Sequence, residues 1–272
     1  MNHVLIGKDN YEDFTAVLPI TALPKKDRYT FGAYSDDDVV AGAISFYLID
    51  NQYVIDWLYV APSMRERGVA TELLNEIHRY IKGTGEIYPL IARYEVTEDD
   101  MSLYGFFLGR HDMDTDFSHY RYYVSSMDIK TSEGLQGNME TDFTFKNYFS
   151  LPNEYQNRYL SQITSTHNFL IEDRNSWKKE CIPELCKVVC RGDKLMAAIF
   201  ITGREDGNLE LAYLYSNAPI ATKLIVCRAA SEIIKKFPGV KLIFDCVGEN
   251  SEPLARRLFP EAKVVCIYES VW

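Results

Sequence analysis

The amino-acid sequence predicts an α/β (α+β) protein made of two similar units in tandem. Between residues 29 and 128, apolar residues recur with the spacing of strands, then of a helix, a strand, a short helix and a final strand. The same order of elements recurs between residues 188 and 268, with fewer residues that suggest a functional site, which indicates a tandem duplication. The 272 residues are 47% hydrophobic and 25% charged, which suffices for the core of one large domain or two modest ones.

Turn and helix-end residues bound the elements of the first unit. Asp50-Asn51-Gln52 predicts a turn between two strands, and Pro62 ends the second of them. Gly83 and Gly85 end the first helix, and Gly109 ends the second. The predicted strands cover 28–34, 39–49, 53–60, 87–96 and 117–127, and the predicted helices cover 69–81 and 103–107.

A polar connector separates the two units. Residues 131–144 are rich in Ser, Gly, Asn and Glu, as is typical of a linker, so we expect domains at 1–130 and 145–272. Residues 145–180 are expected to open the second domain with helices. The remaining predicted strands cover 188–190, 194–202, 208–216, 241–247 and 263–268, and the predicted helices cover 220–236 and 251–258.

Charge excludes some classes of partner. The net charge is −10, and residues 1–130 carry 12 Lys and Arg against 21 Asp and Glu. Nucleic-acid binding requires a basic face, so we expect no nucleic-acid partner. The acidic runs either lie on solvated loops or attract a cationic substrate. The sequence has no run of about 18 apolar residues and no basic start followed by an apolar stretch, so we expect neither a membrane span nor a secretory leader.

Cysteine and histidine usage predicts no metal site. The six cysteines lie between residues 181 and 266, without a Cys-x-x-Cys pair or a matching His-x3–5-His. Most lie in apolar segments, which indicates buried thiols in a reducing cytoplasm. The five histidines are scattered and are expected at structural or surface positions, although His111 beside Asp112 leaves a base or a ligand as the alternative.

The segment 57–71 carries the strongest functional signal. A buried strand ends in a short polar loop, and Gly68 opens a helix whose first turn is kept uncrowded by Ala70. The free amides and partial positive charge of a helix N-terminus favour an anion, and Arg65 and Arg67 add cationic side chains. The pattern predicts a pyrophosphate site, and the alternative is a plain loop-to-helix glycine. Neither Gly-x4-Gly-Lys-Ser/Thr nor Gly-x-Gly-x-x-Gly occurs.

This segment resembles the acyl-CoA-binding signature of the GNAT superfamily of N-acyltransferases. The family pattern is Arg/Gln-x-x-Gly-x-Gly/Ala after a strand that ends in Val-x-Pro. Here it matches Arg65-x-x-Gly68-x-Ala70, preceded by Val60-x-Pro62.

The resemblance covers about residues 3–128, and residues 145–272 resemble the same fold without the signature. It implies a GNAT-like mixed, mostly antiparallel sheet flanked by helices on both faces and duplicated in tandem. The strands at 53–60 and 87–96 would part to admit acetyl-CoA as the co-substrate, with no metal. The implied contacts are Leu58, Tyr59 and Val60 for the pantetheine and thioester, and Arg65, Glu66, Arg67, Gly68, Val69, Ala70 and Thr71 for the pyrophosphate.

Direct acyl transfer to an amine sets the requirements for the catalytic residues. An alkylammonium with a pKa near 10 must lose a proton before it attacks, so a base is needed. Asp56, which interrupts an apolar strand, and Glu95 on the neighbouring strand are the candidates, with a solvent-facing or bulge position as the alternative for Asp56. A backbone N–H near Tyr59 is the candidate donor to the oxyanion.

Tyr104 is the candidate acid for the leaving thiolate. The family commonly has Tyr-x-x-x-Gly-Phe at the end of its second helix. Here Tyr104 lies five residues before Gly109, and Arg110 stands in place of the usual Phe. One residue rotates a helical side chain by about 100°, so Tyr104 is either the acid or a packing tyrosine.

The sequence therefore predicts a cytoplasmic acetyl-CoA-dependent N-acetyltransferase. Its acceptor would be a small primary amine or the lysine or N-terminal amine of a protein. The second unit would be degenerate and either shape the acceptor pocket or form a homodimer contact. The alternatives are a non-catalytic acyl-CoA-binding or interaction protein on the same scaffold and an aminoacyl-tRNA-dependent transferase, which the acidic charge disfavours.

Overall fold

The structure is a computed structural model that describes residues 1–19, 22, 27–135, 142–166, 177–204 and 206–272. Its strands are β1 (Asn2–Leu5), β2 (Arg28–Tyr34), β3 (Val40–Ile49), β4 (Gln52–Val60), β5 (Leu90–Val96), β6 (Asp114–Val124), β7 (Thr144–Asn147), β8 (Lys187–Arg191), β9 (Lys194–Gly203), β10 (Leu209–Ser216), β11 (Leu242–Cys246) and β12 (Lys263–Val271). Its helices are α1 (Val69–Thr84), α2 (Ser102–Leu108), α3 (Ser126–Thr131), α4 (Asn153–Thr166), α5 (Trp177–Glu180), α6 (Pro219–Lys236) and α7 (Ser251–Leu258). Among these helices, none is both long and apolar enough to cross a membrane.

The chain folds into two compact units. Unit 1 contains Met1–Ser118 and Cys266–Trp272, and unit 2 contains His119–Val265. The predicted domains at 1–130 and 145–272 follow the sequence repeat rather than these contacts, and they stay a prediction. Residues 136–141 of the predicted linker lie outside the described residues.

The sheet of unit 1 has the strand order β1-β2-β3-β4-β5-β12. Its neighbours pair antiparallel except β4 and β5, which are parallel and joined through α1. Helices α1 and α2 pack on one face, where the apolar residues of α1 recur every three or four positions and are buried. The other face packs against the segment around the 3-10 turn Tyr11–Phe14.

Unit 2 repeats this plan with the strand order β6-β11-β10-β9-β8-β7. The pair β10 and β11 is parallel, and α6 connects them. Helices α3, α6 and α7 pack on one face of the sheet, and α4 packs on the other. The predicted mixed, mostly antiparallel sheet, duplicated in tandem, is confirmed.

Each unit completes its sheet with a strand from the other sequence repeat. Strand β12, the last of the second repeat, pairs with β5 in unit 1. Strand β6, the last of the first repeat, pairs with β11 in unit 2. The repeat pattern alone did not predict this exchange.

Several element boundaries were predicted wrongly. Strand β5 begins at Leu90 rather than residue 87, and Ile87 is 98% exposed. Strand β6 ends at Val124 rather than residue 127 because Ser125 begins α3 with a capping box that includes Asp128. The four-residue strands β1 and β7 were not predicted, since such short strands carry little periodicity.

Candidate functional site

A slot opens in the sheet of unit 1 between β4 and β5. The two strands pair only over Tyr53–Leu90, Val54–Ile91 and Ile55–Ala92. The register of β4 against β3 shifts directly afterwards, so that Asp56 is the extra residue of a β-bulge. The sequence-based expectation that these strands part therefore agrees with the pairing.

Backbone groups of β4 line the slot alternately. The Ala61 N–H donates to the Ala41 carbonyl at 2.9 Å, which makes this a hydrogen-bonded pair of the β3–β4 ladder. Because such pairs alternate along an antiparallel ladder, the backbone groups of Tyr59 face β3 and those of Leu58 and Val60 face the slot. The geometry therefore favours Leu58 and Val60 over Tyr59 as backbone contacts for a ligand in the slot.

The loop before α1 forms an open turn. Gly68 has a φ of +81° and precedes the first helical residue, and Glu66 also has a positive φ of +62°. A Cβ atom added to Gly68 would meet nothing within 4 Å, so the space beside it is open. The α1 N-terminus has no side-chain cap, and its first amides have no partner within the helix. This turn presents free N–H donors to an anion.

The other residues of the loop divide between core and surface. Val69 is 1% exposed and packs in the core, so only its backbone N–H is available to a ligand. Arg65, Arg67 and Thr71 are exposed. Arg65 donates to the Val60 carbonyl at 3.3 Å, which ties the loop to the slot.

Asp56 lies on the sheet face opposite α1, and its carboxylate is paired. Arg28 Nη2 of β2 lies 2.7 Å from Asp56 Oδ2. The Arg28 guanidinium reaches across β3, 5.4 Å from the centre of the Tyr47 ring. Sequence reasoning missed Arg28 and Tyr47, because only the sheet order brings a β2 residue to a β4 bulge. Asp56 is therefore both a bulge residue and an ion-pair partner, and its role as a base stays a prediction.

Glu95 of β5 lies on the same face as Asp56. Ala92 and Tyr94 face the α1 side, so Arg93 and Glu95 face the opposite side. Arg93 Nε lies 2.5 Å from Glu269 Oε2 on β12. The structure thus brings both predicted bases to one face, together with an arginine that the sequence did not single out.

Tyr104 lies on the α1 side of the sheet. Its ring packs 4.7 Å from that of Tyr268 on β12, in the apolar cluster beneath α2. The neighbouring Tyr94 hydroxyl lies 3.0 Å from Ser270 Oγ, and burial raises the pKa of Tyr94. The structure therefore gives Tyr104 a packing contact, and its role as an acid stays a prediction.

Comparison with known proteins identifies the first unit. Residues 6–110 match the acetyltransferase (GNAT) family. Unit 1 contains a GNAT domain. The resemblance inferred from the sequence is confirmed, and the slot and open turn described above belong to this domain. No curated protein sequence matches the chain significantly.

Solved structures extend the fold comparison to the whole chain. A tandem GNAT protein from the clavulanic acid biosynthesis pathway has a TM-score of 0.67 at 12% identity, covering 99% of this chain and 97% of that one. A glucosamine N-acetyltransferase region of a fungal multi-domain β-N-acetylglucosaminidase has a TM-score of 0.69 at 14% identity, covering 100% of this chain and 38% of that one. A GCN5-related N-acetyltransferase from Sphaerobacter thermophilus has a TM-score of 0.64 at 11% identity, covering 89% of this chain and 79% of that one. These likenesses establish a tandem GNAT fold.

Unit 2 keeps the GNAT fold but differs at the position of the open turn. Strand β10 has a register shift at the position equivalent to Asp56, where Ala212 has no carboxylate. Helix α6 starts with Pro219, which has no N–H to offer an anion. Ser216 Oγ accepts from the Ala218 N–H at 3.3 Å, so the preceding loop satisfies its own donor. Among the described residues of both units, no group of three or more His, Cys, Asp or Glu side chains could hold a metal ion.

Proposed function

We propose that this protein is an acetyl-CoA-dependent N-acetyltransferase that transfers the acetyl group directly to a primary amine. One observation carries the proposal: the strands β4 and β5 part at a bulge, and the next loop is an open turn at the uncapped α1 N-terminus. The GNAT match over residues 6–110 supports acyl-CoA as the co-substrate.

The donor would bind along the slot and the turn. The diphosphate accepts from the amides between Gly68 and Thr71 and interacts with the Arg65 and Arg67 side chains. The pantetheine arm pairs with the backbone groups of Leu58 and Val60, as an added strand would.

The chemistry needs few steps. Asp56 or Glu95 takes a proton from the acceptor ammonium, directly or through water. The amine nitrogen forms a bond with the acetyl carbonyl carbon, and a slot-facing N–H of β4 stabilises the oxyanion. The C–S bond then breaks, and the thiolate takes up a proton, for which Tyr104 is the candidate donor.

Calorimetry and turnover on the full chain test the proposal. Acetyl-CoA should release heat on binding, and an amine panel should accept isotopic acetyl groups. No heat at millimolar acetyl-CoA would contradict the donor site. Asp56→Asn should lower turnover and shift its pH dependence, and an unaltered pH–rate profile would exclude Asp56 as the base.

A non-catalytic acyl-CoA-binding protein is the second candidate. Two observations favour it, namely the pairing of Asp56 with Arg28 and the packing of Tyr104 against Tyr268. Heat from acetyl-CoA without turnover on any amine would support this candidate.

The remaining parts of the proposal concern location and assembly. The six cysteines are free thiols, which supports a reducing, cytoplasmic location. A homodimer is proposed as the assembly, and sedimentation of the purified chain tests it.

A further inference from the structure

Two arginine–carboxylate pairs lie on the sheet face of unit 1 that holds the predicted bases. In the Arg28–Asp56 pair the side chains are 20% and 23% exposed, and in the Arg93–Glu269 pair they are 49% and 29% exposed. Three of these four side chains are largely removed from water. Their electrostatic interactions are therefore stronger than those of exposed pairs.

Three of these four charged groups act on Tyr47, which indicates that Arg93 lies near the Arg28–Asp56 pair. Burial raises the pKa of Tyr47, and Asp56 raises it further. Arg28 and Arg93 oppose this shift, so three charged groups act on this phenol. Each pair contains one guanidinium group and one carboxylate, so the charges balance within each pair.

A balanced pair disfavours ligands that carry a single charge. A purely cationic acceptor bound at Asp56 would lie beside the Arg28 guanidinium, and an anion at Arg28 would lie beside Asp56. A ligand with both charges can replace each partner, because its carboxylate accepts from Arg28 while its ammonium donates to Asp56. The paired atoms lie 2.7 Å apart, so the two charges of such a ligand must be separated by only a few bonds.

We propose that the acceptor is an α-amino acid or a close analogue, an amine that carries a carboxylate beside its nitrogen. The proposal rests on the proposed function and adds the substrate class. Arg28 binds the carboxylate and determines specificity, and Asp56 holds the ammonium and takes its proton. The nitrogen then forms the amide bond, the C–S bond of acetyl-CoA breaks, and the thiolate takes up a proton.

Matched acceptors test the substrate class. The rate of CoA release is measured for phenylalanine against phenethylamine, lysine against cadaverine, and glycine against methylamine. We expect kcat/KM to be about tenfold or more higher for the amino acid of at least one pair, as the loss of one charged hydrogen bond predicts. Amines without a carboxylate that react equally well or better in every pair would overturn the proposal.

Substitution of Arg28 separates specificity from structural support. Arg28→Gln should bring the ratio of kcat/KM within the preferred pair close to one, because the loss falls on the amino acid. A structural role would lower both rates alike and leave the ratio unchanged, which would overturn the proposal. Arg191→Gln is the control, since Arg191 pairs with Asp142 in unit 2. If acetyl-CoA binds but no amine of either kind reacts, the transferase function itself fails.

Each of the two exchanged strands, β12 and β6, sets a charged residue directly opposite a residue of the other sign on its neighbour. In unit 1, Arg93 of β5 lies directly opposite Glu269 of β12. In unit 2, Asp245 of β11 lies directly opposite Arg121 of β6, with nitrogen–oxygen distances of 2.7 and 2.9 Å. Although burial raises the pKa of Asp245, the hydrogen bonds from Arg121 and His119 outweigh it and hold that pKa well below its usual range.

Arg93 and Asp245 occupy equivalent positions in the two units. Leu90 and Leu242 are the first residues of β5 and β11 that pair with the parallel neighbour. Arg93 and Asp245 each lie three residues further along. The equivalent positions therefore carry opposite charges.

Their partners Glu269 and Arg121 are equivalent in the same way. Trp272 exchanges two backbone hydrogen bonds with Leu90, and Val124 lies opposite Leu242. Glu269 and Arg121 each lie three residues before these partners. If each strand stayed in its own repeat, Arg121 would oppose Arg93, and Glu269 would oppose Asp245.

We propose that these charges direct the strand exchange. Each exchanged pairing sets opposite charges against one another, and each unexchanged pairing sets like charges at the same close cross-strand position. Like charges directly opposite in a sheet are destabilising, and both unexchanged pairings carry them at once.

Competition between two disulfides measures directly whether β5 pairs with β12 or with β6. Ile91 and Val271 form a non-hydrogen-bonded pair beside Leu90 and Trp272, where side chains approach closely enough for a disulfide. Tyr123 is the equivalent of Val271 in β6. The chain for this test carries Ile91→Cys, Tyr123→Cys and Val271→Cys, and its six native cysteines are replaced by alanine. Refolding in a thiol–disulfide buffer then lets the thiol at position 91 join either partner, and peptide mapping measures the ratio of the two disulfides.

Charge reversals should move this ratio. With the natural charges, the 91–271 disulfide should dominate. Arg93→Glu with Asp245→Arg should raise the 91–123 fraction about tenfold, as the sum of cross-strand pair effects predicts. Adding Glu269→Arg and Arg121→Glu should restore the original ratio. An unchanged ratio in all three chains would overturn the proposal.

A second variant keeps the test valid if the repulsive chain does not fold. Arg93→Glu with Glu269→Arg keeps both exchanged pairings attractive and makes both unexchanged pairings attractive as well. The 91–123 fraction should therefore rise in this chain too. No rise would overturn the proposal, since native pairing chemistry is retained.

Discussion

Replacing Gly68 by Asp would place a carboxylate where the diphosphate of acetyl-CoA is proposed to bind. Gly68 has a φ of +81°, and an added Cβ meets nothing within 4 Å, so the new side chain enters open space. Asn at this position has nearly the same shape, also tolerates the left-handed region and carries no charge. A comparison of Gly68→Asp with Gly68→Asn therefore separates charge from backbone strain.

The expected magnitude follows from Coulomb's law. Two unit charges about 4 Å apart repel by about 1 kcal/mol in water and by about 4 kcal/mol at an effective dielectric constant of 20. The loop is exposed, and Arg65 and Arg67 offset part of the repulsion. We expect a difference of about 1–3 kcal/mol, which weakens acetyl-CoA binding roughly 5- to 150-fold for Gly68→Asp relative to Gly68→Asn.

Isothermal titration calorimetry of the full chain is the assay, with Gly239 of unit 2 as the matched control. Gly239 has a φ of +85° and also has nothing within 4 Å of an added Cβ. Gly239→Asp and Gly239→Asn should therefore carry a similar backbone cost and leave the Kd unchanged. Equal Kd values for Gly68→Asp and Gly68→Asn would refute the anion site.

Three further predictions concern the slot, acid stability and the exchanged strands. Gly42→Ala would set a Cβ 2.6 Å from the Tyr59 carbonyl oxygen, so β4 must shift; thermal unfolding should show a loss of about 1–3 kcal/mol, and an unchanged Tm would contradict this packing. Burial lowers the pKa of His78 from 6.5 to about 4, so the unfolded chain binds a proton at a higher pH than the folded chain does, and the folded state loses stability as the pH falls from 6.5 to 4. His78→Gln should therefore make Tm depend less on pH in that window. An identical slope of Tm against pH in the two proteins would contradict the assignment. The fragment 119–265, which keeps its part of β6, should unfold at a higher temperature than 131–272, which lacks β6; the reverse order in circular dichroism melts would contradict the exchange.

Local patterns predicted the elements that build the site. Helix α1 repeats its apolar residues at helical spacing, and Gly68 precedes its first residue, so the open turn could be located from the sequence. The bulge on β4 also leaves a local trace. Ile55 and Leu58 both face the α1 side although they lie three residues apart, which an unbroken strand does not allow.

Contacts across several strands could not be predicted from one sequence. Arg28 reaches Asp56 only because β2, β3 and β4 are neighbours in that order, and no local pattern encodes this order. The strand exchange has a similar cause. Strands β6 and β12 have comparable apolar patterns. The charges that distinguish them favour one arrangement only in combination with the charges on β5 and β11, so they predict the pairing only when the neighbouring strands are known.

For Tyr104, the sequence predicted the position of the residue but not its role. Its distance from Gly109 departs by one residue from the family pattern, and the sequence therefore left a catalytic and a packing interpretation open. The stacking against Tyr268 depends on β12, which comes more than 150 residues later in the chain and belongs to unit 1 through the exchange.

Hydrogen–deuterium exchange of the full chain, with and without acetyl-CoA, shows whether the slot and the open turn together bind the donor. We expect acetyl-CoA to slow exchange of the amides at Leu58 and Val60 and between Gly68 and Thr71, with no change at 216–222, the equivalent region of unit 2. Unchanged exchange at 58–71 under saturating acetyl-CoA, or protection confined to 216–222, would contradict this donor site.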